Sequence, residues 1–452
     1  MNLTYAQLLK SNRHFRNLLW GQVVSELGNW FNFIAGLGLV RLVSDASPAA
    51  AGVLFACRLL PFAVFSPIAG TFVDRFSRRQ VMIWSDISRA FVALAFLLVT
   101  DAENLWIAYL ATALISVIGA FFEGAKNAAT PNLTGKDGLL AGTALMFSSR
   151  FLLMAIGSAL GGWAAAIFGY HIAFIINAAS FAVSAFSVWL IPDAATRRKP
   201  LDENPLTNKP EILDAPAMVG ALPQIKFKKT PRPSFIAELK EGFRYTLENH
   251  FALTILIMNI IWATGGGAIN VVFERMGGIV FAGKEHWNPD FAVGTLWFAS
   301  GLGLFIGMMV AHRTATWLDR RQSHTAFIGW SLLVHGVLFS IAGLMPNLWL
   351  FALFAFVSRV IVGVEYAVQE TMFQRSLPDY IRGRISTLDR GAEMTIFGLS
   401  SYLTSLAVYR ITPESLTIVS GILSASSGVV WFLRQRKDSE FKIQDSKLNI
   451  ES

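Results

Sequence analysis

One cysteine stands in 452 residues, and only 15% of the side chains are charged. The lone Cys57 lies within an apolar run, which excludes a disulfide inside one chain and leaves the redox compartment unread. The seven histidines never recur three or four residues apart, so no helical metal pair is expected, and no G-x-x-x-x-G-K phosphate loop is present. These absences argue against a membrane-embedded metalloenzyme and an ATP-driven pump, leaving ion gradients as the energy source. No enzyme activity, metal or cofactor is expected. Nor does any polar segment combine basic and aromatic residues as a nucleic-acid surface would.

What is present is apolar: 54% hydrophobic residues, with 36 Phe and 13 Trp. A bilayer core of about 30 Å takes roughly 20 apolar helical residues to cross. Twelve such runs stand near residues 17–41, 49–72, 81–100, 105–125, 139–167, 170–191, 251–281, 291–312, 325–345, 348–372, 386–409 and 413–433. The fold class expected from these runs is an all-α membrane protein with twelve transmembrane helices. Nearly all Lys and Arg between the runs fall on one side, against only Arg41, Lys284 and Arg410 on the other. This is the positive-inside pattern, so both termini are expected in the cytoplasm, and the net charge of +8 is topological. The first run is too long for a cleavable signal and is followed by further spans.

Residues 192–233 are the one long polar interval, rich in Pro and Lys, and they divide six runs from six. The organisation expected is an N-terminal bundle (1–191), a linker with an amphipathic helix (192–249), a C-terminal bundle (250–433) and a tail (434–452). In the linker, Ile236, Leu239, Phe243 and Leu247 share a helical face suited to a membrane interface. Gly70 and Gly307, and Pro131 and Pro378, recur at near-equal offsets, as in a duplication with the solute site between the repeats.

The stretch GTFVDRFSRRQ (70–80) resembles the loop between the second and third helices of the major facilitator superfamily. With RLLPFAVFSPIAG, MIWSDISRA, NAATPNLTGKDGLLAGTAL, AIGSALGG, GYHIAFIINAASF, LKEGFRYTLENH and FQRSLPDYIRGRIS, it resembles the branch that contains macrolide-efflux and enterobactin-exporter proteins. The resemblance covers nearly the whole chain. It implies a fold of two pseudo-symmetric six-helix bundles, alternating access and export of an amphipathic small molecule, usually against proton entry. It also implies a monomer in the cell (inner) membrane, with H+ as the coupling ion and the bilayer as partner. The first helix departs from the branch, reading Ser25-Glu26-Leu27-Gly28-Asn29 where S-x-L-G-D is usual, and Glu123-Gly124-Ala125-Lys126 stands where a P-A-R-Q-A-like run is common.

A conformational latch is expected from Gly70, Asp74, Arg75, Arg78, Arg79, Asp86, Glu123 and Asp389. In it Asp74 faces the start of the eleventh helix, where Ser386 acts as N-cap and Asp389 stands in the first turn. The loop arginines pair with Glu123 and Asp86.

Ionisable residues at membrane depth are costly and default to functional candidates, here Glu26, Arg58, Arg150, Glu274, Arg275, Arg359, Glu365, Asp389, Arg390 and Glu393. Glu26 leads as proton acceptor or counter-charge, with an ion pair to Arg58 or Arg150 as the structural alternative. The cavity set is Glu26, Asn29, Trp30, Arg58, Arg150, Trp262, Glu274, Arg359, Glu365 and Glu393; Phe31 and Trp297 join it as apolar lining. Gly157 and Gly161 have small-residue spacing for close helix approach. Gly265, Gly266 and Gly267 form either a hinge or a packing surface. Three functions remain open: an exporter, a lipid or lysolipid flippase of the same fold, and a non-transporting receptor.

Overall fold

The computed structural model describes residues 3–73, 75–196, 235–321 and 323–435. The first half consists of α1 (Arg13–Val43), α2 (Pro48–Val73), α3 (Arg78–Leu94), α4 (Leu105–Gly135), α5 (Asp137–Phe168) and α6 (Tyr170–Trp189). The second consists of α7 (His250–Arg275), α8 (Pro289–Arg321), α9 (His324–Ala342), α10 (Leu348–Ser376), α11 (Asp379–Ala407) and α12 (Pro413–Gln435). Eleven of these are long and apolar enough to cross a membrane by hydropathy alone. The twelfth, α11, carries Arg382, Arg384, Asp389, Arg390 and Glu393 in its first half, and is held by packing against α2 and α7. Twelve crossings return the chain to the face from which α1 departs, termed the near face; the opposite one is the far face.

Apolar side chains cover the outside because the surrounding solvent is hydrocarbon. On α3 and the 3-10 turn that extends it (Ala95–Leu98), Trp84, Phe91 and Leu98 recur every seven residues and are 66%, 73% and 62% exposed, while Asp86 and Arg89 of α3 are buried inside. That inversion of the soluble pattern is what a lipid-facing helix requires. Arg89 pairs with Asp86 and lies over the rings of Phe122 and Phe181, at 4.5 and 4.4 Å, so the buried charge is both neutralised and covered.

Three boundaries differ from the sequence expectation. No loop separates α4 from α5: helix continues through Pro131, and the chain turns at Gly135 alone, whose φ of +67° is open to glycine at no steric cost. The run 251–281 is α-helical only to Arg275 and continues as a π-helical segment, Met276–Phe281. The eleventh helix begins at Asp379 after Pro378, so Ser386 is not an N-cap and Asp389 lies three turns inside. The reason is that Ile381 and Ile385 are buried at helical spacing and extend the packed face toward the near side. The linker's amphipathic helix spans Phe235–Glu248; Phe243 and Leu247 point outward, while Gly242 rests on Arg384. The remainder of the linker and the tail, 197–234 and 436–452, lie outside the described residues.

Within each half, glycines let helices touch backbone to backbone. A Cβ on Gly307 of α8 would stand 2.3 Å from the Val360 carbonyl oxygen and 2.8 Å from Gly363 Cα of α10. Gly307→Val is expected to lower stability by about 1–3 kcal/mol or more, since backbone cannot yield as a side chain can. A fall in melting temperature and in the monodisperse fraction on gel filtration checks this.

The halves meet along two seams, α2 with α11 and α5 with α8. Both are tight toward the far face. There Gly162 of α5 faces Gly294 of α8, and Gly52 of α2 faces Ser405 of α11, with no room for a Cβ on any of these glycines.

Candidate functional site

Toward the near face the halves separate around a cavity of about 440 Å³, a volume that suits a small organic solute. Its walls are the near-side portions of α1 (Gln22), α2 (Phe62 to Pro67), α4 (Glu123 to Asn127), α5 (Thr143 to Arg150) and α11 (Ser386 to Met394). On α11, Ser386, Thr387, Arg390, Gly391 and Met394 recur at helical spacing and form the cavity face. Asp389 and Glu393 share another face, turned into the second half. The lining mixes apolar Phe62, Met146, Phe147 and Met394 with charged Glu123, Lys126, Arg150 and Arg390. Lys126 donates to Glu123 at 2.6 Å.

Above the cavity an aromatic plug closes the far side. Trp297 of α8 inserts between Trp30 and Phe33 of α1 and Phe273 of α7, with centroid separations of 5.5, 5.2 and 5.4 Å. Arg58 of α2 lies beneath it, its guanidinium 4.2 Å from the Phe33 ring and 5.6 Å from Trp30.

Beyond the plug lies an ion cluster that joins the halves. Arg41, at the end of α1, pairs with Asp290 of α8 and stands 3.5 Å from Glu274 of α7. Arg275 approaches Glu274 at 2.8 Å and donates to the Ala46 carbonyl at 2.7 Å. Asp45 and Ala46 hold positive φ (50° and 57°), the turn that presents this carbonyl. Tyr170 donates to the second Asp290 oxygen at 2.9 Å. Two cations and two anions, all buried, make a neutral lock.

The second half has a polar core of its own. Asn259 of α7 donates to both Asp389 oxygens, at 3.1 and 2.9 Å, and accepts from Gln369 at 2.9 Å. Beside it, Trp262, Glu365, Tyr366 and Glu393 enclose a void of about 10 Å³, the room of one water molecule.

Of the cavity residues expected from sequence, Arg150 lines the large cavity and is exposed to it. Glu26 and Asn29 are half-buried, the first one turn along α1 from the cavity residue Gln22. Glu26 is within electrostatic reach of Arg58 but forms no ion pair with it or with Arg150 among the described residues. Trp30 and Trp297 belong to the plug, and Phe31 faces an outer groove with Leu160 and Trp163. Glu274 sits in the far-side lock rather than the cavity, because its helix ends beyond the plug. Arg359 is buried inside the second half beside the Gly303 approach, not in the cavity. Glu365 and Glu393 are 3% and 6% exposed and do not reach the near surface. Arg390 is a candidate by its charge but stands outside the expected cavity set, and Lys126 is in neither; the α11 spacing of Ser386, Arg390 and Met394 is the signal that puts Arg390 on the cavity face.

The expected latch is differently partnered. Asp74 lies outside the described residues. Arg78 donates to the carbonyls of Ala128 and Thr196 at 2.8 and 3.1 Å, and Arg79 to that of Trp189 at 2.6 Å. Arg75 is exposed, Glu123 pairs with Lys126, and Asp86 pairs with Arg89. The Trp189 and Thr196 carbonyls stand at helix ends, where a cation is favoured, and Glu123 and Asp86 are already engaged by nearer cations. A Cβ at Gly70 would meet nothing within 4 Å.

Gly157 and Gly161 fit against Trp30 and Phe31 of α1. Gly265, Gly266 and Gly267 lie in unbroken helix, packed on Ser420, Ser424, Phe397 and Ser400.

Two six-helix halves around a solute-sized cavity, open toward one face and closed toward the other, define a secondary-transporter architecture. The Major Facilitator Superfamily model matches residues 18–334, and the chain belongs to that family. Macrolide efflux protein A of Streptococcus pyogenes is 22% identical over 82% of this chain and 84% of its own length. YfiS of Bacillus subtilis (strain 168), described as an uncharacterized MFS-type transporter, is 30% identical over 42% of this chain and 45% of its own; the chain thus spans less than half the length of that relative. The putative bacilysin exporter BacE of Bacillus amyloliquefaciens is 30% identical over 40% of this chain and 44% of its own. Among solved structures, a POT family transporter in complex with 5-aminolevulinic acid superposes with a TM-score of 0.71 at 12% identity, covering 94% and 96% of the two chains. A bacterial homologue of the iron transporter ferroportin in the inward-facing state gives 0.60 at 16%, covering 93% and 98%. The chain is a multi-pass membrane transporter of small-molecule substrates with the twelve-helix fold, and efflux proteins are among its relatives.

Proposed function

We propose that this transporter exports small amphipathic compounds from the cell by alternating access, in exchange for protons, as a monomer in the cell membrane with both termini cytoplasmic. The observation that carries this reading is the cavity between the halves, part apolar and part charged, on the face that the positive-inside pattern assigns to the cytoplasm. In this state the solute enters from the cytoplasm while the far-side plug and ion lock are closed. Opening the lock and closing the near side delivers it outward.

Proton exchange is placed on Glu26, one turn from the cavity wall and near Arg58. An acid in this position can carry a proton in one state and act as counter-charge in the other. Glu26→Gln is expected to abolish substrate-dependent proton movement in sealed proteoliposomes under an imposed pH gradient, while substrate binding persists. Proton movement equal to that of the unmodified protein would remove Glu26 from the coupling step.

A further inference from the structure

Resting on the exporter reading, we infer that the cavity selects an anionic amphiphile, a compound with a carboxylate, sulfonate or phosphate head and an aromatic or aliphatic body. The charged groups on the cavity wall do not cancel. Lys126 and Glu123 neutralise each other at 2.6 Å, which leaves Arg150 from α5 and Arg390 from α11. Neither guanidinium forms an ion pair among the described residues.

The acids within electrostatic reach of Arg390, namely Glu393, Glu370 and Asp389, lie off the cavity wall, and none forms an ion pair with it among the described residues. Asp389 accepts on both oxygens from the Asn259 amide nitrogen, at 3.1 and 2.9 Å, and Glu393 lines the small void with Glu365 inside the second half. Glu370 accepts from Gln374 at 2.8 Å. The Arg390 guanidinium is steadied over the Tyr366 ring at 5.2 Å, an interaction that holds a cation in place without cancelling its charge. Arg150 is exposed to the cavity and has Glu123, already held by Lys126, as an electrostatic neighbour.

The two arginines come from opposite halves. One anionic group between them would satisfy both cations at once, with hydrogen bonds of the charge-assisted kind. Phe62, Met146, Phe147 and Met394 would cover the body of the same molecule. Because α5 and α11 belong to separate halves, an anion bridging them also favours approach of the halves on the near side, which is the step that must follow loading.

The test is binding of a matched pair, naphthaleneacetate and naphthalenemethylammonium, to the purified full-length protein in detergent by titration calorimetry. The anion is expected to bind about tenfold or more tightly than the cation, with an affinity that falls as salt rises. Arg150→Gln and Arg390→Gln should each lose that preference, and Arg150→Lys and Arg390→Lys should keep most of it. The Lys variants and the salt dependence serve if a Gln variant does not fold. Equal binding, preference for the cation, binding of neither, or Gln variants that retain the preference would overturn the inference. Preferential binding of the anion without its movement into sealed vesicles would leave the site standing and overturn the exporter reading instead.

Discussion

Arg41→Ala is expected to open the far side. The lock holds two arginines against two acids, and Glu274 and Asp290 are 0% and 5% exposed. Among the described residues, removing Arg41 leaves the Asp290 carboxylate with the Tyr170 hydroxyl and leaves Arg275 as the one cation for two carboxylates. Breaking a buried ion cluster by deleting one partner costs roughly 3–5 kcal/mol. That cost falls on the closed state alone, since opening the far side hydrates both acids. A difference of this size shifts a two-state equilibrium by roughly a hundredfold or more. In a Cys57→Ser background with a reporter cysteine at Ala299, buried in α8 next to the plug, a membrane-impermeant maleimide applied to the far face should react at least about tenfold faster after Arg41→Ala. The charge-balanced pair Arg41→Gln with Asp290→Asn should restore much of the protection. Unchanged reactivity would mean that the plug, not the lock, keeps this side shut.

Gly294→Val should have a comparable effect by a different physical route. Its Cβ would stand 2.7 Å from the Ser158 carbonyl oxygen and 3.1 Å from Gly162 Cα, so the clash is with backbone across the seam between the halves. Each half keeps its own packing, and the clash is relieved by separating α5 from α8. The expected result is a chain that stays folded but no longer closes its far side. Spin labels at Leu42 and Lys284, both exposed near the far face, should then show longer distances than in the unmodified protein. Gly307→Val is the contrast, since its clash lies within the second half and is relieved only by disrupting that half. A Gly294→Val protein with unfolding like that of Gly307→Val and no change in distance would contradict the seam's role.

Much of the fold was legible because the solvent imposes a simple rule. Twenty-residue apolar runs and lopsided basic loops report crossings and orientation directly. Even α11, whose charged first half fails a hydropathy criterion, was recognised from its apolar second half and its neighbours. The α4–α5 junction was not legible, since Lys126, Pro131 and Lys136 look like a loop while the helix persists to Gly135. The site was harder for a physical reason: its contacts are between residues far apart in sequence. Arg41 and Asp290 are separated by 249 positions, and nothing local marks them as partners. Glu274 and Arg275 stood out as buried charges, yet their role follows only from what packs against them. Arg390 was visible as one charge among several on α11; its orientation toward the cavity, with Asp389 and Glu393 turned away, is a property of how the helix is rotated in the bundle.

The central claim is that solute crosses through the cavity between the halves, driven by a proton gradient. The most direct measurement is accumulation of radiolabelled naphthaleneacetate, naphthalenemethylammonium and neutral naphthalenemethanol in everted, acid-inside vesicles, with Met146→Trp as the cavity-filling variant. The account predicts accumulation of at least one compound beyond that in protein-free vesicles, where the amine is trapped by protonation alone; this excess is lost when the gradient is collapsed and lost again when Trp occupies the space beside Phe147 and Arg150. Accumulation that survives the filled cavity, or a failure of every compound to accumulate against the gradient, would contradict it.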